Sequence, residues 1–443
     1  MESAIGCDVL VVGGGPAGST AAALLARQGK HVVLLEKEFF PRFHIGESLL
    51  PLNLPVFDRL GVADDVRRLG VYKPGAQVFS DEHGKTTVFR FGANPHLTVK
   101  HAYQVKRADF DKLLLDNSRR CGATVEEGVR VTNIAFEAGP RATVTAVKAD
   151  GTAAHWRPRF VVDASGRDTL LATRFQTKES NKRNNTAALF GHFRDVQRRD
   201  GNAEGMIAMH LFPQGWFWVI PLPDGITSVG MVGTQAFFKS RTGDLNAFFG
   251  RAVAATPSLA ERMATAQPVG PLVTAANFSY RSTRVAGDGY ILIGDAAAFI
   301  DPLFSSGVML AMSGGAFAVE AVSAQLDGKP EAATLMREYE RKARCGLNAF
   351  AWLIYRINTP ILRDMLMEEF DLFDTRNGLI AILAGDFYAP RWFLSPLRRV
   401  QLAYAVLVLC AKLGFRLRSR DGRIGLRRMS GRLSSDIHAG YLT

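Results

Sequence analysis

The chain has 443 residues, of which 47% are hydrophobic and 22% are charged, with four scattered cysteines and a formal net charge of +12. This composition is typical of globular proteins and excludes collagen-like, disordered and disulfide-framework chains. At roughly 150 residues per domain, the length allows about three domains or fewer large ones. The N-terminal segment runs into a glycine motif without a basic region or a cleavage site, which predicts no signal peptide and a cytoplasmic location. No apolar stretch is expected to reach the roughly eighteen residues of a membrane span.

The predicted elements begin with a βαβ unit. Cys7–Val12 is an apolar strand, and His31–Glu36 is a second one. Between them, Gly15–Gln28 has the small and apolar residues of a helix, which Gly29 ends. A further helix is predicted over Glu47–Leu60.

Beyond this unit, strands and helices alternate. Ala76–Phe91 is predicted to form a hairpin with its turn at Asp81–Gly84, and Ala108–Gly122 a helix. Several strands follow, and 207–232 is again rich in strand residues. From about residue 340 to 411 Leu, Phe and Ala recur at helical spacing, which predicts an α-helical C-terminal region packed on an α/β body.

The turn after the first strand carries a nucleotide-binding pattern. Gly13, Gly15 and Gly18 satisfy G-x-G-x-x-G between a strand and a helix. In that setting the first glycine allows the tight turn, the second allows a pyrophosphate to approach the helix N-terminus, and the third allows close helix packing. Glu36 ends the second strand, where an acid binds ribose hydroxyls. The motif therefore predicts a dinucleotide site.

Two later segments indicate which dinucleotide. Val161–Arg167 and Gly289–Ala297 resemble the signature segments of FAD proteins of the para-hydroxybenzoate hydroxylase class. The resemblance implies that Asp295 binds the ribityl chain and that the following helix points its N-terminus at the flavin ring. There is no second G-x-G-x-x-G, so reduced FAD is expected to come from a separate flavin reductase.

Three further segments resemble the flavin-dependent halogenases. They are Pro41–Pro51, Gly215–Pro221, which matches W-x-W-x-I-P, and Phe299–Val308, which matches F-x-D-P-x-x-S-x-G. The resemblance runs from the N-terminus to about residue 340. The G-E-S and D-P elements are shared with other FAD enzymes, including geranylgeranyl reductases.

The resemblance implies a fold and a domain plan. It is an α/β fold with an FAD-binding Rossmann-type body of the GR2, para-hydroxybenzoate-hydroxylase-like kind, an interleaved β-sheet substrate region and an α-helical C-terminal region. The FAD-binding halogenase module is expected over 1–340, with the substrate sheet near 76–107 and 185–280. The helical region with its basic tail is expected over 341–443.

The resemblance also implies a set of site residues. Lys73 stands where the family has its lysine, and Pro74 pushes it towards an extended conformation. Trp216, Trp218 and Ser305 join it as catalytic candidates, and Ser306 and Gly307 are expected to hold the halide with backbone N–H groups. Strand alternation places both tryptophans on one face. No metal site is expected. The residues implied for cofactor binding are Gly13, Gly15, Pro16, Ala17, Gly18, Glu36, Lys37, Arg42, Gly46, Glu47, Ser48, Arg107, Asp163, Gly166, Asp295, Pro302, Gly307 and Val308.

The implied reaction is halogenation of an electron-rich aromatic ring. Reduced FAD, O2 and chloride or bromide would yield hypohalous acid, which Lys73 holds and activates as an ammonium or as an amine. Tryptophan halogenases place a glutamate where this chain has Phe304, so the sequence resembles the phenol and pyrrole branch. An acidic acyl carrier protein that presents the substrate suits the basic chain. An aryl polyene precursor would suit an enzyme in contact with a membrane. An aromatic hydroxylase and a geranylgeranyl-reductase-like enzyme stay open as alternatives.

The C-terminal region leaves a second question open. Leu402–Ala411 is a short apolar run between Arg398 and Lys412. It is expected to be either a buried helix that covers the substrate pocket or a helix in a membrane interface, at the inner face of the membrane. Between Lys412 and Arg432 eight Lys and Arg residues face one acid. No nucleic-acid motif accompanies this basic tail, so nucleic acid is not an expected partner.

Overall fold

The computed structural model describes residues 4–136, 141–181, 186–276, 279–300, 303–368, 371–388, 395–420 and 423–428. Within it the chain forms two compact units. The first unit comprises Met1–Tyr72, Ala102–Asn185 and Asn277–Asn348, and the second unit comprises Lys73–His101, Thr186–Ala276 and Ala349–Thr443.

Strands and helices alternate along most of the chain. The strands are β1 Ile5–Val12, β2 Val32–Glu36, β3 Val71–Lys73, β4 Gly75–Ser80, β5 Lys85–Arg90, β6 Ala102–Gln104, β7 Thr124–Glu127, β8 Val129–Phe136, β9 Ala142–Lys148, β10 Ala153–Asp163, β11 Lys178–Ser180, β12 Thr186–Arg194, β13 Ile207–Phe212, β14 Gly215–Pro221, β15 Thr227–Thr234, β16 Gln267–Pro268, β17 Val273–Ala276, β18 Tyr280–Ser282, β19 Ala286–Gly287, β20 Tyr290–Leu292, β21 Ala298–Phe299, β22 Phe415–Arg420 and β23 Arg423–Arg428. The helices are α1 Pro16–Arg27, α2 Leu54–Leu60, α3 Ala63–Leu69, α4 Arg107–Arg120, α5 Leu170–Arg174, α6 Gln235–Lys239, α7 Leu245–Ala254, α8 Pro257–Arg262, α9 Ser306–Leu326, α10 Ala332–Ile354, α11 Pro360–Met367, α12 Thr375–Ala384 and α13 Pro396–Lys412.

The first unit is built on a parallel sheet. Its central strands run in the order β20-β10-β1-β2-β7, and Val11 on β1 lies opposite Leu34 on β2 and Val162 on β10. Both faces of the sheet are buried, because Val11 joins the core formed with α1, α4 and α9 while Leu10 joins a second core on the other face. Burial on both faces explains why β1 and β2 are continuous apolar runs. This is the Rossmann-type α/β body that the sequence predicts.

Helix α9 runs through the first of these cores. Among the described residues α9 is the one helix whose length and composition would allow it to cross a membrane. However, 78% of its most apolar 18-residue stretch is buried inside the protein. The expectation that no apolar stretch reaches this length is therefore wrong. The few polar residues of α9 are scattered among Ala, Gly, Val and Met, so the helix stays apolar around its circumference, as buried helices do.

The second unit is built on a mostly antiparallel sheet. Its strands run in the order β16-β12-β15-β14-β13-β4-β5, with β17 also on β12 and with β4 parallel to β13. Every residue of the central strand β14 is buried. Phe217 and Val219 of this strand join a core with Phe248 and Phe249 of α7. Because side chains alternate along a strand, Trp216 and Trp218 face the opposite side of the sheet.

Two local predictions differ from the structure. The helix predicted over Glu47–Leu60 begins only at Leu54, after a 3-10 turn at Pro51–Asn53. The residues before it are extended, since Ser48 forms a β-bridge with Gln104. The C-terminal region is helical as predicted, but it closes with the hairpin β22–β23.

Candidate active site

The glycine turn of the first unit fits only glycine at two of its positions. Gly13 has a φ of +103°, and a Cβ atom there would lie 2.3 Å from the carbonyl oxygen of Ala164. A Cβ on Gly18 would lie 2.0 Å from the carbonyl oxygen of Gly13. Both contacts are with backbone and cannot be relieved by a side-chain rotation. The predicted close packing of turn, helix and sheet is therefore present.

Gly15 is different, because the space beside it is open. It is the N-cap of α1, and the nearest atom to a Cβ there would be Nη2 of Arg42 at 3.8 Å. No side chain caps α1, so the first N–H groups of the helix face that space. Uncapped N–H groups and the helix dipole favour an anion at this point. The space and the donors fit the pyrophosphate of a dinucleotide such as FAD.

Glu36 anchors the end of β2 against this turn. Its Oε2 accepts the N–H of Gly14 at 2.6 Å, and its Oε1 accepts the N–H of Glu38 at 2.9 Å. The carboxylate is buried, and each oxygen keeps a second lone pair. That capacity suits a ribose hydroxyl donor. Lys37, the next residue, is 32% exposed and forms a 2.5 Å ion pair with Asp168.

Asp163 ends β10 and holds the turn that follows it. Its Oδ1 accepts the N–H of Ser165 at 2.9 Å, and its Oδ2 accepts the N–H of Leu171 at 2.7 Å. Burial raises the pKa of this carboxyl group, and the two hydrogen bonds oppose that shift. Gly166 lies in the same turn with a φ of +63°. The contacts of Asp163 are those of a residue that shapes the cofactor turn.

Asp295 lies in the tight turn Gly294–Ala296, directly after β20. Burial raises the pKa of its carboxyl group to about 6, although Arg107 and Arg167 lower it. The hydroxyl of Tyr280 donates to the backbone oxygen of Asp295 at 3.0 Å, which fixes the turn. Hydroxyl groups that donate hydrogen bonds to this carboxyl group would stabilise its ionised form, so the raised pKa of Asp295 suits a ligand that carries hydroxyl groups.

Arg107 fixes the segment that contains Gly46. Its Nε and Nη2 donate to Asp111 at 2.7 and 2.8 Å, and its Nη1 donates to the carbonyl of Ile45 at 2.6 Å. Gly46 has a φ of +107°, and a Cβ there would lie 3.0 Å from Nη1 of Arg107. Arg42 contributes further ion pairs, with Asp111 at 3.4 Å and with Glu38 at 2.9 Å.

The next two residues of this segment are buried backbone partners of β6. The carbonyl of Glu47 accepts the N–H of Val105 at 2.8 Å, and Ser48 bridges to Gln104. The G-E-S element is thus built into the first unit next to Arg107.

The N-terminus of α9 is a second uncapped helix start. Ser305, its N-cap, has a φ of +60° and makes no capping hydrogen bond, a left-handed conformation that is uncommon outside glycine. Ser306 and Val308 are buried, and Gly307 is partly exposed. The free N–H groups at this turn form a nest of the kind that binds anions. Pro302, also predicted at the cofactor site, lies outside the described residues.

Lys73 is the most unusual side chain of the second unit. It ends β3 and is only 1% exposed, which is rare for a lysine. Burial lowers the pKa of its ammonium group from the ordinary 10.5 to about 7. Its Nζ lies 5.8 Å from the ring centre of Phe91, which begins the turn after β5. A buried lysine with such a pKa is typical of a functional site.

Trp216 and Trp218 lie side by side on β14, as alternation predicts. Their ring centres are 5.9 Å apart, and both side chains are buried. Nε1 of Trp218 donates to Oγ of Ser228 at 3.1 Å on the neighbouring strand. A Cβ on Gly230 would lie 2.3 Å from the Trp218 ring, so only glycine leaves room for this indole.

Several residues that shape the site were not predicted. Phe91, Ser228, Gly230 and Tyr280 contact predicted residues through strand pairing or distant turns. The role of Gly230 could have been predicted, because an isolated glycine inside a strand indicates close approach of another group. For the other three the sequence carries no such signal. Among the described residues no group of three His, Cys, Asp or Glu side chains could hold a metal ion.

The chain is similar to curated proteins over most of its length. The FAD binding domain family matches residues 6–351. A tryptophan 2-halogenase from Chondromyces crocatus is 36% identical over 77% of this chain and 66% of its own length. A 1H-pyrrole-2-carbonyl-[peptidyl-carrier protein] chlorinase from Pseudomonas fluorescens is 30% identical over 86% of this chain and 90% of its own length. The chain therefore spans about two thirds of the first relative and nearly all of the second.

The fold is also similar to those of solved flavoprotein structures. A flavoprotein/dehydrogenase from Cytophaga hutchinsonii has a TM-score of 0.81 and 30% identity, covering 87% of this chain and 94% of its own. The myxobacterial chondrochloren halogenase has a TM-score of 0.76 and 31% identity, covering 91% of this chain and 98% of its own. The glycine turn, the uncapped helix starts and these similarities agree, and the chain belongs to the flavin-dependent halogenases, a family of FAD-binding oxidoreductases.

Proposed function

We propose that this protein halogenates an electron-rich aromatic ring of the phenol or pyrrole type with chloride or bromide, using O2 and reduced FAD from a separate flavin reductase. The observation that carries the proposal is Lys73, a fully buried lysine whose pKa is about 7, in the same unit as the paired tryptophans of β14. A hydroxylase or a reductase has no use for such a lysine.

The cofactor residues of the first unit fit FAD. The open space at Gly15 and the uncapped start of α1 suit the pyrophosphate, and Glu36 and Asp295 offer carboxylate acceptors to ribose and ribityl hydroxyls. Bound reduced FAD would supply, with O2, the two-electron oxidation of halide to hypohalous acid, with water as the second product. The N–H groups of Ser306 and Gly307 would hold the halide.

Lys73 would place and activate the hypohalous acid. At pH 7 a group with a pKa of about 7 is roughly half protonated, so both of its forms are available. The ammonium form would donate a hydrogen bond to the oxygen of the acid and make that oxygen a better leaving group. The amine form would take the halogen onto nitrogen as water leaves. In either route the ring gains the halogen, loses one proton, and water carries away the oxygen.

The tryptophan pair would shield this step. Two adjacent buried indoles with ring centres 5.9 Å apart exclude water from their face of the sheet. Dry surroundings maintain the low pKa of a lysine and protect hypohalous acid from side reactions. Ser228 and Gly230 would act as positioning residues, since they fix the ring of Trp218.

The substrate class rests on Phe304. This buried phenylalanine stands where tryptophan halogenases have a glutamate, so this position carries no polar group. Phenols and pyrroles are activated by their own heteroatoms and do not require it. We further propose that the substrate binds the second unit and that the reaction takes place in the cytoplasm. An acidic carrier protein can present the substrate, because this chain has a net charge of +12.

The test is an assay with a flavin reductase, NADH, bromide and a panel of phenols, pyrroles and indoles, read by mass spectrometry. We expect Lys73→Ala to keep its FAD and its consumption of O2 while brominated product falls to background. Lys73→Arg should fail as well, because guanidinium cannot lose a proton under these conditions. The exposed Lys239 of the same unit provides the matched control, and Lys239→Ala should brominate like the unaltered enzyme.

Two results would contradict the proposal. One is a Lys73→Ala enzyme that brominates at a rate near that of the unaltered protein. The other is hydroxylated product, with no brominated product, from every member of the panel.

A further inference from the structure

Helix α13 presents a row of exposed leucines. Leu402, Leu409 and Leu413 are 41%, 58% and 66% exposed. They are spaced by seven and four residues, which places them within about 40° of one another around a helix of 3.6 residues per turn. Phe415, just past the helix, is also exposed. We call these three leucines the leucine row.

The helix is buried only on its other side. Val400, Ala403 and Leu407 are almost fully buried, so α13 is anchored in the second unit through that face. The described part of the chain exposes thirteen large hydrophobic side chains, and four of them lie between Leu402 and Phe415. Such a concentration in fourteen residues marks an interaction surface rather than scattered surface leucines.

Cations lie along one side of the leucine row. Arg398 and Lys412 are exposed, and on a helical projection they lie about 40° and 80° from Leu402 in the same direction. Directly after the helix the chain continues with seven arginines and a single acid up to residue 432. An apolar stripe edged by cations is the pattern of a helix that lies in a membrane interface with its leucines among the acyl chains.

Aromatic side chains lie beside the same helix. The rings of Trp352 and Tyr404 pack edge to face at 5.2 Å, and the guanidinium of Arg356 lies over both. On a helical projection Tyr404 lies about 160° from Leu402, so this cluster holds the side of α13 that faces away from the leucine row. These contacts fix the helix in place while the leucines of the row stay exposed.

We propose that α13 docks the protein on the surface of a bilayer that contains anionic phospholipid. The charge argues against a second copy of this chain as the occupant, because every copy carries the same excess of positive charge and two copies repel each other. Nucleic acid would engage the arginines but gains nothing from exposed leucines. A bilayer satisfies both features, since headgroups neutralise the arginines while the leucines leave water. The proposal does not depend on the reaction that the enzyme catalyses.

The test is co-sedimentation of the FAD-loaded full chain with vesicles of phosphatidylcholine alone or with 30 mol% phosphatidylglycerol. We expect binding to the phosphatidylglycerol vesicles, weakened at 0.5 M salt, and little binding to phosphatidylcholine alone. The triple variant Leu402→Ser, Leu409→Ser, Leu413→Ser should bind at least about 30-fold more weakly, because three partly inserted leucines are lost. Its FAD content and melting temperature should stay unchanged, since these side chains are exposed.

A matched control tests whether vesicle binding depends on the leucine row or on any exposed apolar side chains. Ile5, Val269 and Val273 are also exposed, and their triple serine variant should bind vesicles like the unaltered protein. Binding that the leucine variant leaves intact would overturn the proposal, because charge alone would then hold the protein. A dimer in gel filtration that the leucine variant abolishes, without any vesicle binding, would overturn it in favour of a protein interface.

Discussion

Replacing Lys73 by methionine should stabilise the protein while it abolishes the proposed reaction. Methionine keeps an unbranched chain of similar volume and removes the ammonium group from its buried site. Burial lowers the pKa of Lys73 from 10.5 to about 7, and one pKa unit corresponds to about 1.4 kcal/mol. The charged form therefore costs up to about 5 kcal/mol of folding free energy at and below pH 7.

The sign of the pH dependence follows from proton binding. Between pH 7 and 10.5 the unfolded chain holds a proton on Lys73 that the folded protein lacks, so unfolding takes up a proton. The free energy of unfolding of the unaltered protein therefore rises with pH in this window, relative to Lys73→Met. The advantage of the variant should be largest at pH 6, about 2 kcal/mol at pH 9, and close to zero near pH 10.5.

The measurement is urea unfolding of both FAD-free proteins at pH 6, 7, 8, 9 and 10. Tryptophan fluorescence is a suitable probe, because Trp216 and Trp218 lie in the same unit as Lys73. Other groups titrate equally in both proteins, so the difference isolates Lys73. Lys239→Met controls for loss of an exposed lysine and should show no such gap. A Lys73→Met gap that is absent, or that stays constant from pH 6 to 10, would refute a depressed pKa and with it the available amine.

Three further outcomes are expected. Gly15→Val should fold, because the space beside Gly15 is open in the protein, but it should lose FAD in gel filtration because the side chain fills the place of the pyrophosphate. Gly13→Ala should instead lower the melting temperature, because its Cβ would lie 2.3 Å from a backbone oxygen. Equal flavin content in Gly15→Val and in the unaltered protein would contradict the assignment of this turn. Gly230→Ala should destabilise by about 1–3 kcal/mol and change the tryptophan fluorescence as Trp218 is displaced; an unchanged spectrum would show that the ring has another place to go. Asp295→Asn should stabilise the FAD-free protein at pH 7 by up to about 3 kcal/mol and so raise its melting temperature. The reason is that a pKa of about 6 for Asp295 makes the free energy of unfolding of the unaltered protein fall as the pH rises from 4 to 6. The asparagine variant should gain nothing at pH 4, and its FAD affinity should drop.

Much of the first unit could be predicted from the residues alone. The strand at Cys7–Val12, the helix after the glycine turn and the pairing of Trp216 with Trp218 on one face all depend on periodicities of two or 3.6 residues. These periodicities are local, so a short window of sequence contains them. Gly13 and Gly18 belong here as well, because a turn between a strand and a helix admits few other residues.

What the sequence could not determine depends on which distant segments meet. Serine and glycine from the neighbouring strand position Trp218, and their strand order follows from sheet assembly rather than from local pattern. The burial of Lys73 is likewise invisible in the segment around it. Its pKa falls because the folded protein removes water from the ammonium group, and desolvation depends on the filled volume around a charge. In the same way only packing decides that α13 buries Val400 and leaves Leu409 in water, since both are apolar residues of one helix.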